Sequence, residues 1–254
     1  MVETFNINDP FHDNRFLRAW ILASILALIT GTLVSWYTAR FGLDFAELLK
    51  SGMRTLIPNR GVGEVVLSLP VYIVTTTSVG AMVGVSMALA QWLVLRKWVG
   101  WAREWLVASL TGAVLSYVGM AALNILAILV DPDPRLLKGL ADSGFWLGAI
   151  MGIAQWRVLR KYTPAAFWWI VASVLLWGAG STFNHLWGPQ FLRFVSGLLA
   201  MFIRRVLHIR NAGALRLYPI AQLGMWVIAG AIGGGIAGKL LAWLMQKQPE
   251  KKIL

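Results

Sequence analysis

Five stretches of the chain carry no charged side chain and are long enough to cross a membrane. They cover residues 19–39, 65–95, 105–130, 162–192 and 217–238. A run of about 18 or more mainly apolar residues is a candidate for a transmembrane helix. The pattern therefore predicts an all-α fold, a polytopic transmembrane helical bundle.

The charged residues that bracket these runs predict six spans. In chain order the spans cover about 17–39, 70–95, 104–130, 140–159, 164–187 and a last one within 217–246. We expect one transmembrane domain over 17–246, with a polar tail (1–16) before it and a basic tail (247–254) after it. Residues 41–64 mix apolar and charged positions, which predicts a short helix in the membrane interface.

The segment 188–216 admits two interpretations, which decide between six and seven spans. Its uncharged centre, from Phe194 to Ile203, is only ten residues long. Polar and apolar side chains fall on separate stripes of a helix here, which favours an amphipathic helix on the membrane surface. The alternative is a thin seventh span in which Arg193 and Arg204 reach opposite surfaces. Lysine and arginine counts do not separate the two, so the side on which the C-terminus lies stays open.

One stretch of the chain occurs twice. Residues 84–109 and 148–173 align without a gap, and 14 of the 26 positions are identical. Each copy has a small-residue apolar run that ends in Gln-Trp-x-Val-Leu-Arg-Lys, then a short link, then a second apolar run. This order predicts a repeated helical hairpin. Residues 229–247 have a similar order and suggest a third copy.

These motifs resemble a loosely defined group of uncharacterised bacterial polytopic membrane proteins. In that group a Gly/Ala-rich helix ending in Gln-Trp-x-Val-Leu-Arg recurs and is followed by a Trp-rich helix start. The similarity covers 84–109 and 148–173, although Arg157 replaces the apolar residue of the first copy, Leu93. The resemblance implies a repeated-hairpin fold and brings no activity with it.

The net charge of the chain bears only on its orientation in the membrane. The formal charge is +12, but the basic residues flank the apolar runs, where they contact lipid headgroups, so we expect no nucleic-acid partner. The short links 96–104 and 157–163 are basic and are expected on the cytoplasmic side. We therefore expect a multi-pass protein of the bacterial inner membrane. The chain has no cysteine, which excludes disulfides and thiolate metal sites.

The repeated residues suggest two structural roles. Small residues four apart on a helix face let helices approach closely in a membrane, and a buried amide can hydrogen-bond between helices. The expected packing residues are Gly84, Gln91, Gly148, Gly152 and Gln155. Two symmetric glutamines facing each other would lock the hairpins together. The expected contacts with lipid headgroups are Trp92, Arg96, Lys97, Trp156, Arg160 and Lys161, within a wider belt of tryptophans at the same depth.

A bound lipid or a chlorophyll-type pigment is the only cofactor that the sequence suggests, and no metal site is expected. A histidine in aromatic surroundings can supply an axial ligand to a tetrapyrrole, and His185 and His208 are the candidates. The two do not form a facing pair within the membrane.

The predicted spans lack the chemistry of carriers and enzymes. Ion-coupled carriers keep an ionisable group inside a span, and the predicted spans have none near their middle. No HExxH, GxSxG, Walker-type phosphate loop or paired carboxylate lies in or near a span. The leading hypothesis is a non-enzymatic accessory subunit that scaffolds a larger bacterial membrane complex, respiratory or photosynthetic, with other integral subunits as partners. The alternative is a small transporter or channel for a neutral or apolar solute, along Thr75–Ser78, Asn124 and Gln222. A membrane-embedded enzyme that uses Asn184 or His185 is a third hypothesis.

Overall fold

The computed structural model describes residues 14–54, 82–130, 144–206, 208 and 218–246, and these residues are helical apart from short turns. The seven helices are α1 (Asn14–Arg54), α2 (Met82–Leu95), α3 (Ala102–Val130), α4 (Phe145–Leu159), α5 (Phe167–Leu186), α6 (Gly188–Val206) and α7 (Tyr218–Gln246). One turn of 3₁₀-helix, Pro164–Ala166, leads into α5, where proline fits because the first turn of a helix leaves its N–H groups unpaired.

Four of the described helices are long and apolar enough to cross a membrane. The candidate spans are Asn14–Thr38, Ala102–Leu123, Pro164–Asn184 and Ile220–Gln246. The described parts of α2 and α4 are apolar but shorter. The chain is therefore a membrane protein whose described residues form helices and short turns. The third, fifth and last predicted spans coincide with α3, α5 and α7.

The first helix differs from the prediction. It runs without a break for 41 residues, through the segment predicted to be a separate interfacial helix. The stretch that follows Thr38 contains no proline before Pro58, so nothing in it stops a helix once started. At about 1.5 Å per residue, α1 is roughly 60 Å long, about twice the thickness of the hydrocarbon core. Its C-terminal part must therefore extend beyond the apolar layer.

Other predicted segments lie outside the described residues. They are most of the N-terminal tail, the first part of span 2, the loop 131–142, most of 207–217 and the basic C-terminal tail.

The helices pack side by side, and the first and last described helices are neighbours. α1 packs extensively against α7, α3 against α4, and α4 against α5. α2 contacts α1, since a Cβ added at Gly31 would lie 2.8 Å from the Cα of Val83. The main core lies at the end of the bundle where α2 turns into α3 and α4 into α5, and we call it the turn end. At the other end, Leu192 of α6 packs on Ala221 and Met225, in the first turns of α7.

Candidate functional site

The two links of the repeat form the same turn. Lys97 N–H donates to Val94 O at 3.2 Å, and Lys161 N–H donates to Val158 O at 3.2 Å. One residue after each arginine–lysine pair an aromatic residue follows, Trp98 or Tyr162. The identical residues thus adopt one backbone geometry at two places in the chain.

Each turn is braced by a hydrogen bond between a glutamine and a tryptophan. The indole Nε1–H of Trp105 donates to Gln91 Oε1 at 3.1 Å, and that of Trp169 donates to Gln155 Oε1 at 2.8 Å. All four side chains are buried. A buried amide or indole without a partner costs free energy, so these pairs stabilise the two hairpins.

The two glutamines do not face each other, unlike the symmetric lock that the sequence suggested. Each accepts from the tryptophan of its own hairpin. Gln155 also reaches the other copy, where its Nε2 donates to Ser109 Oγ at 2.9 Å. Helices α3, α4 and α5 are thereby connected through one side chain.

A third tryptophan of this kind lies in α1 and was missed in the sequence. The signal is a five-residue motif that occurs three times, as WILAS (20–24), WLVAS (105–109) and WIVAS (169–173). Trp20 is fully buried, as Trp105 is. However, its Nε1–H has no hydrogen-bond partner among the described residues. The motif is therefore repeated without its glutamine.

The three tryptophans meet in the core at the turn end. Trp105 lies between the other two in edge-to-face geometry, with its ring centroid 6.5 Å from that of Trp20 and 5.3 Å from that of Trp169. Such contacts add about 0.5–1.5 kcal/mol per pair beyond the buried area. Trp101 is also buried and stacks on Tyr162 at 5.3 Å. The predicted belt is therefore partly wrong, because these side chains fill the core, whereas Trp168 is exposed.

Glycines bring α4 close to α5. A Cβ added at Gly148 would lie 2.5 Å from Ser173 O, and one at Gly152 would lie 3.0 Å from Ser173 Cβ. At the equivalent place in the first copy, a Cβ at Gly84 would lie 2.5 Å from Ala113 Cβ in α3. All three predicted glycines thus lie at close helix contacts.

The same contact recurs between the last helix and the first. A Cβ at Gly230 would lie 2.8 Å from Ile25 Cα, and one at Gly234 would lie 2.8 Å from Ser24 Cβ. Ser24 and Ser173 are both the last residue of the repeated motif, so α7 packs on α1 as α4 packs on α5. In this register Gly230 and Gly234 match Gly148 and Gly152, and Ala237 occupies the place of Gln155.

The basic residues of the two turns lie on the surface and are exposed. The guanidinium of Arg96 lies 5.1 Å from the ring centroid of Trp92, and that of Arg160 lies 4.9 Å from Trp156. A cation over an indole face is attracted by the ring quadrupole. Trp92 and Trp156, which were predicted to contact lipid headgroups, are therefore half-buried, and each has an arginine over its ring.

The two turn lysines differ in their surroundings. Lys161 Nζ lies 2.7 Å from Glu104 Oε2 in an exposed ion pair. The hydrogen bond and the charge of Glu104 raise the pKa of Lys161 above its ordinary value. Lys97 has no carboxylate partner in the part of the chain that the structure describes.

No family model, no curated protein and no solved structure matches this chain. The function must therefore be argued from the site itself. The resemblance to bacterial membrane proteins with the repeated motif stays a prediction.

Of the two predicted pigment ligands, the structure describes the side chain of His208 alone, and it is not part of the tryptophan cluster. His208 follows α6, is exposed, and has a φ of 54°. The side chain of His185, like those of Asn124 and Thr75–Ser78, lies outside the described residues. Within the described ranges, no group of three histidine, cysteine, aspartate or glutamate side chains could hold a metal ion.

Proposed function

We propose that this protein is a non-enzymatic integral membrane subunit that scaffolds a larger complex in a bacterial inner membrane. The observation that carries the proposal is that three buried polar side chains of the repeats are used in contacts between helices. Gln91, Gln155 and Ser109 are engaged in hydrogen bonds between helices. Groups used in this way hold neighbours together and are not free to bind a solute or transfer a proton.

The packing of the helices agrees best with six spans and with α6 on the membrane surface opposite the turn end. Phe16, near the start of α1, and Leu244, near the end of α7, both lie in the core at the turn end. Helices α1, α3 and α5 therefore run away from this end, and α2, α4 and α7 run toward it. Because α5 ends and α7 begins at the opposite end, α6 need not cross the membrane to connect them. Its arginines and exposed phenylalanines suit a helix in the membrane interface.

Three similar helix pairs would make the scaffold. The pairs are α2 with α3, α4 with α5, and α7 with α1, and each contributes one tryptophan to the cluster. In the third pair the small-residue helix comes from the end of the chain and the tryptophan helix from its beginning. This closure joins the two ends of the bundle, and it supports a third copy in which residues 229–247 supply only the small-residue helix.

Exposed aromatic side chains at the corner between α5 and α6 supply a surface for another integral subunit. Phe183, Trp187 and Phe194 line an apolar groove of about 260 Å³ with Phe191 and Gln190. Aromatic residues are enriched where proteins bind each other. A pigment or lipid at this surface belongs to the same hypothesis.

A transporter for a neutral or apolar solute is the less favoured alternative. It needs a polar path through the bundle, and the described centre at the turn end is filled by Trp20, Trp105 and Trp169. Gln222 is only half-buried, near the start of α7.

Purification from native membranes in a mild detergent tests the scaffold proposal. We expect other integral membrane proteins to co-purify in fixed proportion, as measured by native mass spectrometry and quantitative proteomics. Replacing Trp187 and Phe194 by serine should release them, whereas Leu175→Ser, on an exposed position of α5, should not. A wild-type protein that runs alone in every mild detergent would falsify the proposal.

An absorption spectrum of the same preparation tests the pigment. A tetrapyrrole would give a Soret-type band that is lost in His185→Ala or in His208→Ala. A spectrum with only the tryptophan band removes the pigment from the proposal and leaves the scaffold untouched.

A further inference from the structure

A groove on the outer face of the bundle runs between α1 and α2. It encloses about 490 Å³, and apart from Thr30, Ser86 and Lys97 the described side chains that line it are aliphatic or aromatic. Small residues, Ala23 and Ala90 among them, form its floor. Leucines with exposed side chains form its walls: Leu22, Leu26, Leu89 and Leu93.

The groove is closed at both ends by direct helix contacts. At the turn end, Phe16 packs against Trp98, with ring centroids 5.9 Å apart. At the other end, Gly31 brings the backbone of α1 against Val83. A helix about 10 Å in diameter cannot enter a slot between two helices that touch above and below it. A single hydrocarbon chain is narrow enough to do so.

The length of the groove matches one leaflet of a bilayer. Its lining on α1 extends from Ala19 to Thr30, which spans about 17 Å at ~1.5 Å per residue. The hydrocarbon core of a bilayer is about 30 Å thick, so one leaflet is roughly 15 Å. A groove of this length that starts at the basic turn reaches the middle of the membrane.

At the headgroup end of the groove lies Lys97, for which no carboxylate partner is found among the described residues. In the second copy Lys161 is held by Glu104, the residue before Trp105. The equivalent residue before Trp20 is Ala19, which lines the groove together with Lys97. Lys97 therefore faces the groove, whereas the equivalent lysine of the second copy, Lys161, is neutralised by Glu104.

The equivalent interface of the second copy, between α3 and α4, is packed more closely. Gly112 of α3 holds the place that Ala27 has in α1, and a Cβ at Gly112 would lie 3.0 Å from Ala154 Cβ of α4. The helices therefore touch where α1 and α2 leave room.

We propose that the groove between α1 and α2 binds one anionic phospholipid, with an acyl chain along the alanine floor and the phosphate at Lys97. This inference deepens the proposed function, on whose membrane placement it rests. Lys97 attracts the negative headgroup, and the apolar walls exclude water from the chain. Lys161 has no such role because Glu104 already neutralises it.

Native mass spectrometry of the delipidated protein in a mild detergent tests the proposal. The probes are dioleoyl phosphatidylglycerol and dioleoyl phosphatidylcholine, which share acyl chains and differ in charge. We expect one molecule of phosphatidylglycerol to be retained in preference to phosphatidylcholine. Lys97→Gln should reduce this preference about fivefold, the effect of one basic residue near an anionic surface. Ala19→Glu, which supplies the missing carboxylate, should reduce it as much.

Two matched controls separate headgroup and chain. Lys161→Gln should leave the preference unchanged, because that lysine is already paired. Ala90→Leu should fill the floor and abolish retention of both lipids, whereas Ala179→Leu, at an exposed position of α5, should not. Size-exclusion profiles and thermal unfolding establish that each variant is folded.

Three results would overturn the proposal: equal retention of both lipids, equal effects of the two lysine variants, or full retention in Ala90→Leu. A photo-crosslinker at Leu93 that captures a protein in native membranes, and no lipid, would also overturn it, in favour of a partner helix. Since the probes are added to isolated protein, a failure of the scaffold proposal in co-purification leaves this result unaffected.

Discussion

The indole Nε1–H of Trp169 donates to Oε1 of Gln155 across 2.8 Å. The glutamine is almost fully buried, and its amide nitrogen Nε2 donates to Ser109 Oγ at 2.9 Å. One side chain thus satisfies polar groups on two neighbouring helices. In the first copy Gln91 accepts from Trp105 in the same way. The serine equivalent to Ser109 is Ser24 of α1, and its Oγ–H donates to the carbonyl of Trp20. No bond from Gln91 Nε2 to Ser24 is found among the described residues.

This difference predicts unequal effects of the same substitution. Gln155→Leu should lower the free energy of unfolding by about 1–3 kcal/mol, because it leaves a buried indole N–H without an acceptor. Gln91→Leu should cost less, since it breaks one side-chain bond instead of two. Unfolding by SDS titration in mixed micelles measures both. Adding Trp169→Phe to Gln155→Leu should recover part of the loss, and a double variant with strictly additive costs would contradict the coupling.

The glycine contacts predict a position-dependent response to alanine. Gly148→Ala should destabilise the protein by about 1–3 kcal/mol, because the new methyl group meets the backbone at Ser173 O and neither helix can move freely. Gly180 in α5 has nothing within 4 Å of an added Cβ and is the matched control. Gly180→Ala should leave stability unchanged or raise it slightly. Equal effects of the two changes, in the same SDS titration, would argue against close packing of α4 on α5.

Sequence patterns predicted the positions of α3, α5 and α7 because a long uncharged run has few alternatives to a membrane helix. They did not distinguish Trp105 and Trp169 from tryptophans at the lipid interface, since both kinds lie one turn from a basic link. What distinguishes them is a tertiary contact, a glutamine acceptor on the preceding helix. The glutamine and tryptophan positions were visible in the repeat, but their pairing was not.

The third helix pair was only half predicted from the sequence, because residues 229–247 suggested a third copy but their pairing with α1 was not expected. Its small-residue helix and its tryptophan helix lie at opposite ends of the chain, so no continuous stretch matches the hairpins. Only the short WILAS motif at 20–24 remains, and the glutamine that accompanies it elsewhere is replaced by Ala237. The relation becomes visible once Gly230 and Gly234 are found against Ile25 and Ser24.

The ion pair in the second turn predicts that the titration of Lys161 depends on Glu104. The pKa of Lys161 is raised, first by its hydrogen bond to Glu104 and then by the charge of that carboxylate. In an NMR titration with labelled lysine side chains, Lys161 should lose its proton at higher pH than it does in Glu104→Gln. Because the folded-state pKa is raised, the contribution of Lys161 to stability is fully present at neutral pH, below the unfolded pKa of the lysine. That contribution disappears as the pH rises through the raised pKa. Identical titration of Lys161 in both proteins would contradict the ion pair.

The unpartnered indole of Trp20 predicts that equivalent tryptophans respond differently to phenylalanine. Trp105→Phe and Trp169→Phe each remove a donor and leave a buried glutamine oxygen without its bond, so each should cost about 1–3 kcal/mol plus the lost packing. Trp20→Phe loses packing alone, because its Nε1–H has no described partner to lose. The free energies of unfolding should therefore fall least for Trp20→Phe. Ala237→Gln, which restores the acceptor at the equivalent position of α7, should raise the cost of Trp20→Phe toward that of Trp169→Phe. If Trp20→Phe proves as costly as Trp169→Phe in the wild-type background, Trp20 has an acceptor and the three pairs are more alike than their hydrogen bonds indicate.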